Sequence, residues 1–160
     1  LEECGREYQE AQRILTELSR ALPGDVTLTA ELADLEISLG SLAETRQDYP
    51  RMLDHFTAWH EFVKQRYGKD DPMYSYSAFR MGVALVKCGR PAEAVPLLSD
   101  AIRLAEQQTA ASPGHKGALN HLSWCLRTMA QALQDSGNVG QAEGFRRREK
   151  EANRKLETGL

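Results

Sequence analysis

The clearest helical pattern in the chain lies in residues 75–108, which read SYSAFRMGVALVKCGRPAEAVPLLSDAIRLAEQQ. Small residues at Gly82 and Ala94 allow two helices to approach each other closely. Gly89 suits the left-handed conformation that ends a helix, and Pro91 suits the first turn of the next helix. The segment therefore predicts two helices joined by a tight turn.

Helical spacing and residues that begin helices also occur on both sides of this segment. Apolar residues recur at helical spacing throughout the chain, and no segment shows the sustained alternation typical of a β-strand. Asp71 and Ser112 precede helical patterns and are expected to be N-caps. The sequence predicts an all-α fold of seven helices near 2–21, 26–46, 48–67, 72–88, 91–110, 114–136 and 138–156.

Composition predicts one globular domain and argues against several classes of partner. Of 160 residues, 41% are hydrophobic and 27% are charged, and the net charge of −3 lacks the basic excess of a nucleic-acid binder. No apolar run approaches the roughly 20 residues needed to span a bilayer. Cys4, Cys88 and Cys125 are odd in number and far apart, which favours a reducing compartment. We therefore expect a cytoplasmic or nuclear protein that binds neither nucleic acid nor membrane.

An internal repeat is visible along the chain. Aligning Gly40 with Gly82 gives a period of 42 residues, and aligning the turn glycines Gly89 and Gly137 gives 48 residues. A repeat of this length, made of short-looped helix pairs, is typical of stacked helical arrays.

The spacing in residues 75–108 resembles that of the tetratricopeptide repeat (TPR). Residues 67–72, YGKDDP, are similar to the linker of kinesin-light-chain-type repeats, and residues 94–98, AVPLL, are similar to the start of their second helix. The resemblance implies a right-handed α-solenoid of antiparallel helix pairs, a TPR-like superhelix. The paired asparagines typical of the light-chain first helix are absent, so we do not transfer kinesin cargo binding.

The resemblance also divides the chain into repeats within one solenoid domain, 1–160, which we expect to be part of a longer protein. Residues 1–21 correspond to the second helix of a preceding repeat, and 26–67 to a divergent repeat that has Gln47 where a turn glycine is expected. Residues 72–110 form the best-matching repeat, and 114–156 form the last repeat and cap.

Residues that carry chemistry are sparse. His55 and His60 lie on different faces of a helix and do not have the spacing of metal ligands. The cysteines are unpaired, and the chain has no glycine-rich phosphate loop. We therefore predict no metal, no cofactor and no enzymatic activity. The basic run at 146–150 is interpreted as the mixed-charge outer face of a terminal helix rather than as a nuclear-localisation or nucleic-acid site.

The remaining candidate function is protein binding. In the TPR family the first helix of each pair lines a concave face that holds peptides. The matching positions here mix aromatic and arginine side chains, which are enriched in binding hot spots. They are Tyr76, Phe79, Arg80, Val83, Lys87, Asn120, Trp124, Arg127 and Gln131, with Asp34, Ile37, Ser41 and Glu44 in the divergent repeat.

These positions leave two questions open. The aromatic residues fit a groove and a helix-packing core equally well. If they line a groove, the cationic side chains favour an acidic-aromatic or acidic-aliphatic ligand. We expect a non-catalytic scaffold or adaptor that binds a partner protein or peptide, with self-association not indicated. The alternative is a regulatory or sensor arm that packs on another domain of a larger enzyme or signalling ATPase.

Overall fold

Seven α-helices account for most of the described chain, and the described residues contain no strand. The structure is a computed structural model that describes residues 2–22 and 24–158, except for the side chains of residues 2–6, 9 and 19. The prediction made for Cys4 lies outside the described side chains. The helices are α1 (Glu2–Ala21), α2 (Val26–Thr45), α3 (Tyr49–Tyr67), α4 (Pro72–Lys87), α5 (Pro91–Ala111), α6 (Lys116–Asp135) and α7 (Val139–Thr158). The all-α prediction is confirmed.

The chain divides into two compact units, Leu1–Phe62 and Val63–Leu160. In the first unit, α1 packs on α2, and Phe56 of α3 packs on α2 at Gly40. In the second unit, α5 packs on α4 and α6, α7 packs on α6, and α4 also contacts α6 directly. The assignment of 1–160 to one domain stays a prediction.

The turns within the helix pairs repeat one geometry. Gln47, Gly89 and Gly137 all have positive φ, at 58°, 72° and 81°. In each turn the next amide donates to a carbonyl five residues earlier, with N···O distances of 2.9, 2.9 and 2.7 Å. This 6→1 bond is the Schellman arrangement that satisfies the carbonyls at a helix end. The turns are 42 and 48 residues apart, the two intervals that the sequence predicts.

Close helix contacts repeat in the same way. A Cβ atom added to Gly40 would lie 2.7 Å from the ring of Phe56, and one added to Gly82 would lie 2.9 Å from Leu98. Both partners follow their glycine by sixteen residues. Glycine is therefore needed at both positions to let the neighbouring helix approach.

Helix starts follow the sequence prediction at one site and depart from it at another. Asp71 caps α4, since its Oδ1 accepts from the amide of Met73 at 2.8 Å. The prediction that Ser112 caps α6 is wrong, because Gly114 turns the chain with φ +82° before that helix begins. His115 is the cap instead, and its Nδ1 accepts from the amide of Ala118 at 3.1 Å.

Candidate functional site

The nine predicted binding residues of the second unit form two exposed stripes, one on α4 and one on α6. Helical spacing separates these stripes from the buried faces of the same helices. Six of the nine side chains are exposed, and Phe79, Arg80 and Val83 are half-buried. We refer to these nine residues, after the role that the sequence predicts for them, as the α4–α6 groove.

Aromatic contacts bring the two stripes together. The ring of Phe79 on α4 stacks on Trp124 of α6, with centroids 6.5 Å apart and planes 22° apart. Tyr76 also contacts Phe79, with ring centroids 6.4 Å apart. Tyr76 is 37% exposed and Trp124 is 47% exposed, so both rings present apolar surface to solvent. These two rings are therefore not buried in a helix-packing core, whereas Phe79, which contacts both, is half-buried.

Sequence reasoning missed His121, which lies beneath this aromatic group. Its ring centroid is 5.8 Å from that of Tyr76 and 5.6 Å from that of Phe79. The buried Ser75 donates its hydroxyl hydrogen to the carbonyl of Ala101 at 2.9 Å, so its oxygen accepts from Nε2–H of His121 at 2.8 Å. These two bonds connect α4, α5 and α6 at one point.

The polar groups beneath the groove are uncharged at neutral pH. Burial lowers the pKa of His121 below its usual range. Burial also raises the pKa of the Cys125 thiol to about 12, which keeps the thiol protonated. Ser75 donates to a backbone carbonyl and is fully buried, so these residues do not form an activated nucleophile.

A carboxylate of the second unit partly balances the positive charge of the groove. Arg127 donates through Nε to Oε1 of Glu149 on α7 at 2.7 Å. The Glu149 side chain is only 15% exposed, whereas that of Arg127 is 64% exposed. Because the bond uses Nε, the terminal Nη groups keep donor capacity for a ligand. Gln131 donates to Asp135 at 2.7 Å.

The predicted residues of the first unit lie on α2, together with a separate polar group. Ile37 and Glu44 are half-buried, Asp34 is exposed, and Ser41 donates to the carbonyl of Ile37. Nearby, Glu36 accepts from Gln12 at 2.9 Å and from His55 Nδ1 at 2.7 Å. This group borders an open cavity of about 270 Å³.

Three residues of the run at 146–150 make side-chain contacts within the second unit. Arg148 donates to Glu106 of α5, and Arg146 donates to Gln134 of α6. Glu149 also binds Arg127 of α6, so side chains of this run contact both α5 and α6. Such pairing fits the interpretation of this segment as a structural helix face.

Neither a metal-binding cluster nor a membrane-spanning helix is found among the described residues. No group of three or more histidine, cysteine or carboxylate side chains there has the geometry of a metal site. None of the described helices combines the length and apolar character needed to cross a bilayer. No known protein family matches the chain, and no curated protein matches it significantly.

Proposed function

We propose that this chain is a non-catalytic protein-interaction module, and that the α4–α6 groove binds a peptide segment of a partner protein. The observation that carries the proposal is the pair of exposed rings, Tyr76 and Trp124, that both contact Phe79. Exposed aromatic side chains clustered on neighbouring helices are typical anchors of protein interfaces.

The internal repeat supports a TPR-type architecture for this module. Turns with positive φ recur at Gln47, Gly89 and Gly137, and the close contacts at Gly40 and Gly82 recur with the same partner spacing. We propose on this basis that the helices form antiparallel pairs in a right-handed solenoid. In such an array the first helix of each pair lines the binding face, which here corresponds to α4 and α6.

The groove residues also indicate the chemistry of the ligand. Arg80, Lys87 and Arg127 favour carboxylates, while the aromatic group favours apolar side chains. Exposed ion pairs contribute only about 0–1 kcal/mol each, so the apolar contact should carry most of the affinity. We therefore propose an extended or helical peptide that combines acidic with aliphatic or aromatic residues.

The proposal is tested by fluorescence anisotropy with fluorescein-labelled peptides that alternate acidic and leucine residues, and with matched peptides that carry lysine instead. Trp124→Ala should weaken binding at every salt concentration. Charge reversal of Arg80 and Arg127 to Glu should weaken binding most at low salt, because salt already screens the attraction between these arginines and the peptide carboxylates at high salt.

Matched controls separate the groove from general surface effects. Tyr67→Ala removes another exposed aromatic residue, and Arg103→Glu reverses an exposed charge on α5 that pairs with Asp70. Both control variants should bind like the wild type. Unchanged binding by a folded protein with all three groove substitutions would refute the assignment, as would preference for the lysine peptides.

A further inference from the structure

An open cavity of about 460 Å³ adjoins one end of the groove. It lies where α4 and α6 begin, because its lining includes Pro72, the first residue of α4, and Gly117 and Ala118 in the first turn of α6. Tyr76 belongs both to the groove and to this lining. The cavity is therefore continuous with the groove, and we call it the Tyr76 cavity after the residue that they share.

The two helices of the groove run in the same direction. Ser75 of α4 bonds to His121 of α6, and about one turn further along both helices Phe79 stacks on Trp124. The aromatic contacts thus begin at the end of the groove that holds the Tyr76 cavity.

The positive charge of the groove lies away from the cavity, towards the ends of the helices. At a rise of 1.5 Å per residue, Arg80 lies about 6 Å further along α4 than Tyr76, and Lys87 lies about 16 Å further. On α6, Arg127 follows Trp124 by three residues. A ligand in the groove therefore meets the cavity at one end and cationic side chains towards the other.

The lining of the Tyr76 cavity suits an uncharged, apolar side chain. The described lining contains no lysine, arginine, aspartate or glutamate. Rings and small side chains provide most of it, among them Tyr76, His121, Ala111 and Ala118. A carboxylate placed here would lose water without gaining a cation.

The helix starts at this end also offer little to an acidic residue. Oδ1 of Asp71 accepts from the amide of Met73 at 2.8 Å, and Nδ1 of His115 accepts from the amide of Ala118 at 3.1 Å. Groups of the chain itself thus already use first-turn amides of the kind that bind anions. The carboxylate of Asp71, next to Pro72 in the lining, would also repel an acidic ligand.

We propose that the Tyr76 cavity is the anchor subsite of the groove, that it takes one leucine-like side chain of the partner segment, and that it keeps the acidic residues of that segment on one side of the anchor. The assignment of the occupant to a partner segment rests on the proposed function. An extended peptide advances about 3.3 Å per residue, so carboxylates about two and five residues from the anchor reach Arg80 and Lys87. Acidic residues on the other side of the anchor meet no cation in the described lining.

The first test asks whether the cavity takes the side chain alone. N-acetyl-leucinamide is titrated into the isotope-labelled 160-residue protein, and NMR follows the amide signals of Gly117 and Ala118. Shift changes of these amides should approach saturation in the millimolar range, as expected for a ligand with so few atoms. The aspartate and lysine analogues should leave the two signals in place.

Ala111 and Ala110 provide a matched pair of variants. Both are exposed on the last turn of α5, but Ala111 lines the Tyr76 cavity, whereas Ala110 lines a different cavity that α5 forms with α6 and α7. Ala111→Phe should fill the Tyr76 cavity and remove the leucinamide shifts, and Ala110→Phe should preserve them. Shifts that persist in Ala111→Phe, or that are absent from the wild type, would overturn the proposal.

The second test compares three fluorescein-labelled peptides by anisotropy. The first has leucine at one end and glutamates two and five residues away, the second has the same composition with leucine between the glutamates, and the third has aspartate in place of the leucine of the first. The second peptide should bind severalfold more weakly at low salt, because in either direction one glutamate points away from the cations. The third should bind about tenfold or more weakly despite its added negative charge.

The same cavity variants apply to the peptides. Ala111→Phe should weaken the first peptide by about tenfold or more, and Ala110→Phe should not. A nitroxide beside the leucine should broaden the amides of Gly117 and Ala118, and one at the acidic end should broaden that of Lys87. Broadening of the same amides by both labels would overturn the proposal.

The two proposals fail in different ways. If the first peptide binds with an affinity that neither Ala111→Phe nor the aspartate substitution changes, the anchor subsite is refuted and the proposed function stands. If neither these peptides nor the acidic-leucine peptide of the preceding section binds, the proposed function is refuted, and the leucinamide titration still decides whether the cavity takes an apolar side chain.

Discussion

Replacement of Gly82 by alanine tests the packing that places α4 beside α5. In an exposed helix interior this change stabilises by about 0.8–1 kcal/mol, because alanine has the higher helix propensity. At Gly82 the new Cβ would lie 2.9 Å from both Cγ and Cδ2 of Leu98, and Leu98 is fully buried. The branch point of a buried leucine has little room to move, so overpacking should cost about 1–3 kcal/mol. The net expectation is a loss of about 0–2 kcal/mol of unfolding free energy.

Gly144 provides the matched control. It lies inside α7, and a Cβ added there meets nothing within 4 Å. Gly144→Ala should therefore stabilise the protein by about 1 kcal/mol. The difference between the two variants isolates the overpacking term, since both gain the same helix propensity.

Urea unfolding followed by circular dichroism measures both changes, and thermal unfolding should separate the two variants by roughly 4–8 °C per kcal/mol for a unit of this size. Adding Leu98→Ala to Gly82→Ala should relieve the clash and give a favourable coupling of about 0.5–3 kcal/mol. If Gly82→Ala stabilised the protein as much as Gly144→Ala, the register assigned to α4 and α5 would be wrong.

Three further changes probe the Gln47 turn, the half-buried His121 and the charge of the groove. Gln47→Gly should raise the free energy of unfolding by about 0.5–1 kcal/mol, as measured by urea unfolding. Glycine adopts the positive φ of this position without strain, and this gain outweighs the extra conformational entropy of the unfolded chain. The wild type should lose stability as pH falls from about 6.5 through the lowered pKa of His121, by at most about 1.4 kcal/mol per pH unit, and His121→Gln should lose less. Glu149→Gln keeps an acceptor for Arg127 but removes its negative charge, so an acidic peptide should bind several-fold more tightly at low salt, with the gain shrinking as salt rises. Equal affinity of Glu149→Gln and wild type at low salt would show that Arg127 does not contact the ligand.

Helix number and bounds were predictable because they depend on local signals. Gly89 and Gly137 end their helices in the left-handed conformation that favours glycine, and Pro91 begins α5. The sequence also assigned the predicted binding residues to one face of α4 and one face of α6, but it left open whether their aromatic rings are exposed. Helical periodicity alone determines such a face once the apolar stripe is recognised.

Contacts between distant residues were not predictable in this way. The Arg127–Glu149 pair spans 22 residues and the Ser75–His121 bond spans 46. Neither pair has a characteristic spacing, because both depend on how separate helices pack. The choice of His115 over Ser112 as the α6 cap depended on where Gly114 turns the chain, which the residue types alone leave open.

NMR mapping of the acidic-leucine peptide on the isotope-labelled protein tests the central claim most directly. The claim predicts that the largest shift changes fall on the Trp124 indole and on the amides of α4 and α6 around Phe79 and Arg80. It also predicts that Trp124→Ala, in a protein that remains folded, removes these changes. Shift changes concentrated on the basic residues of α7, with the Trp124 indole unmoved by saturating peptide, would contradict the account.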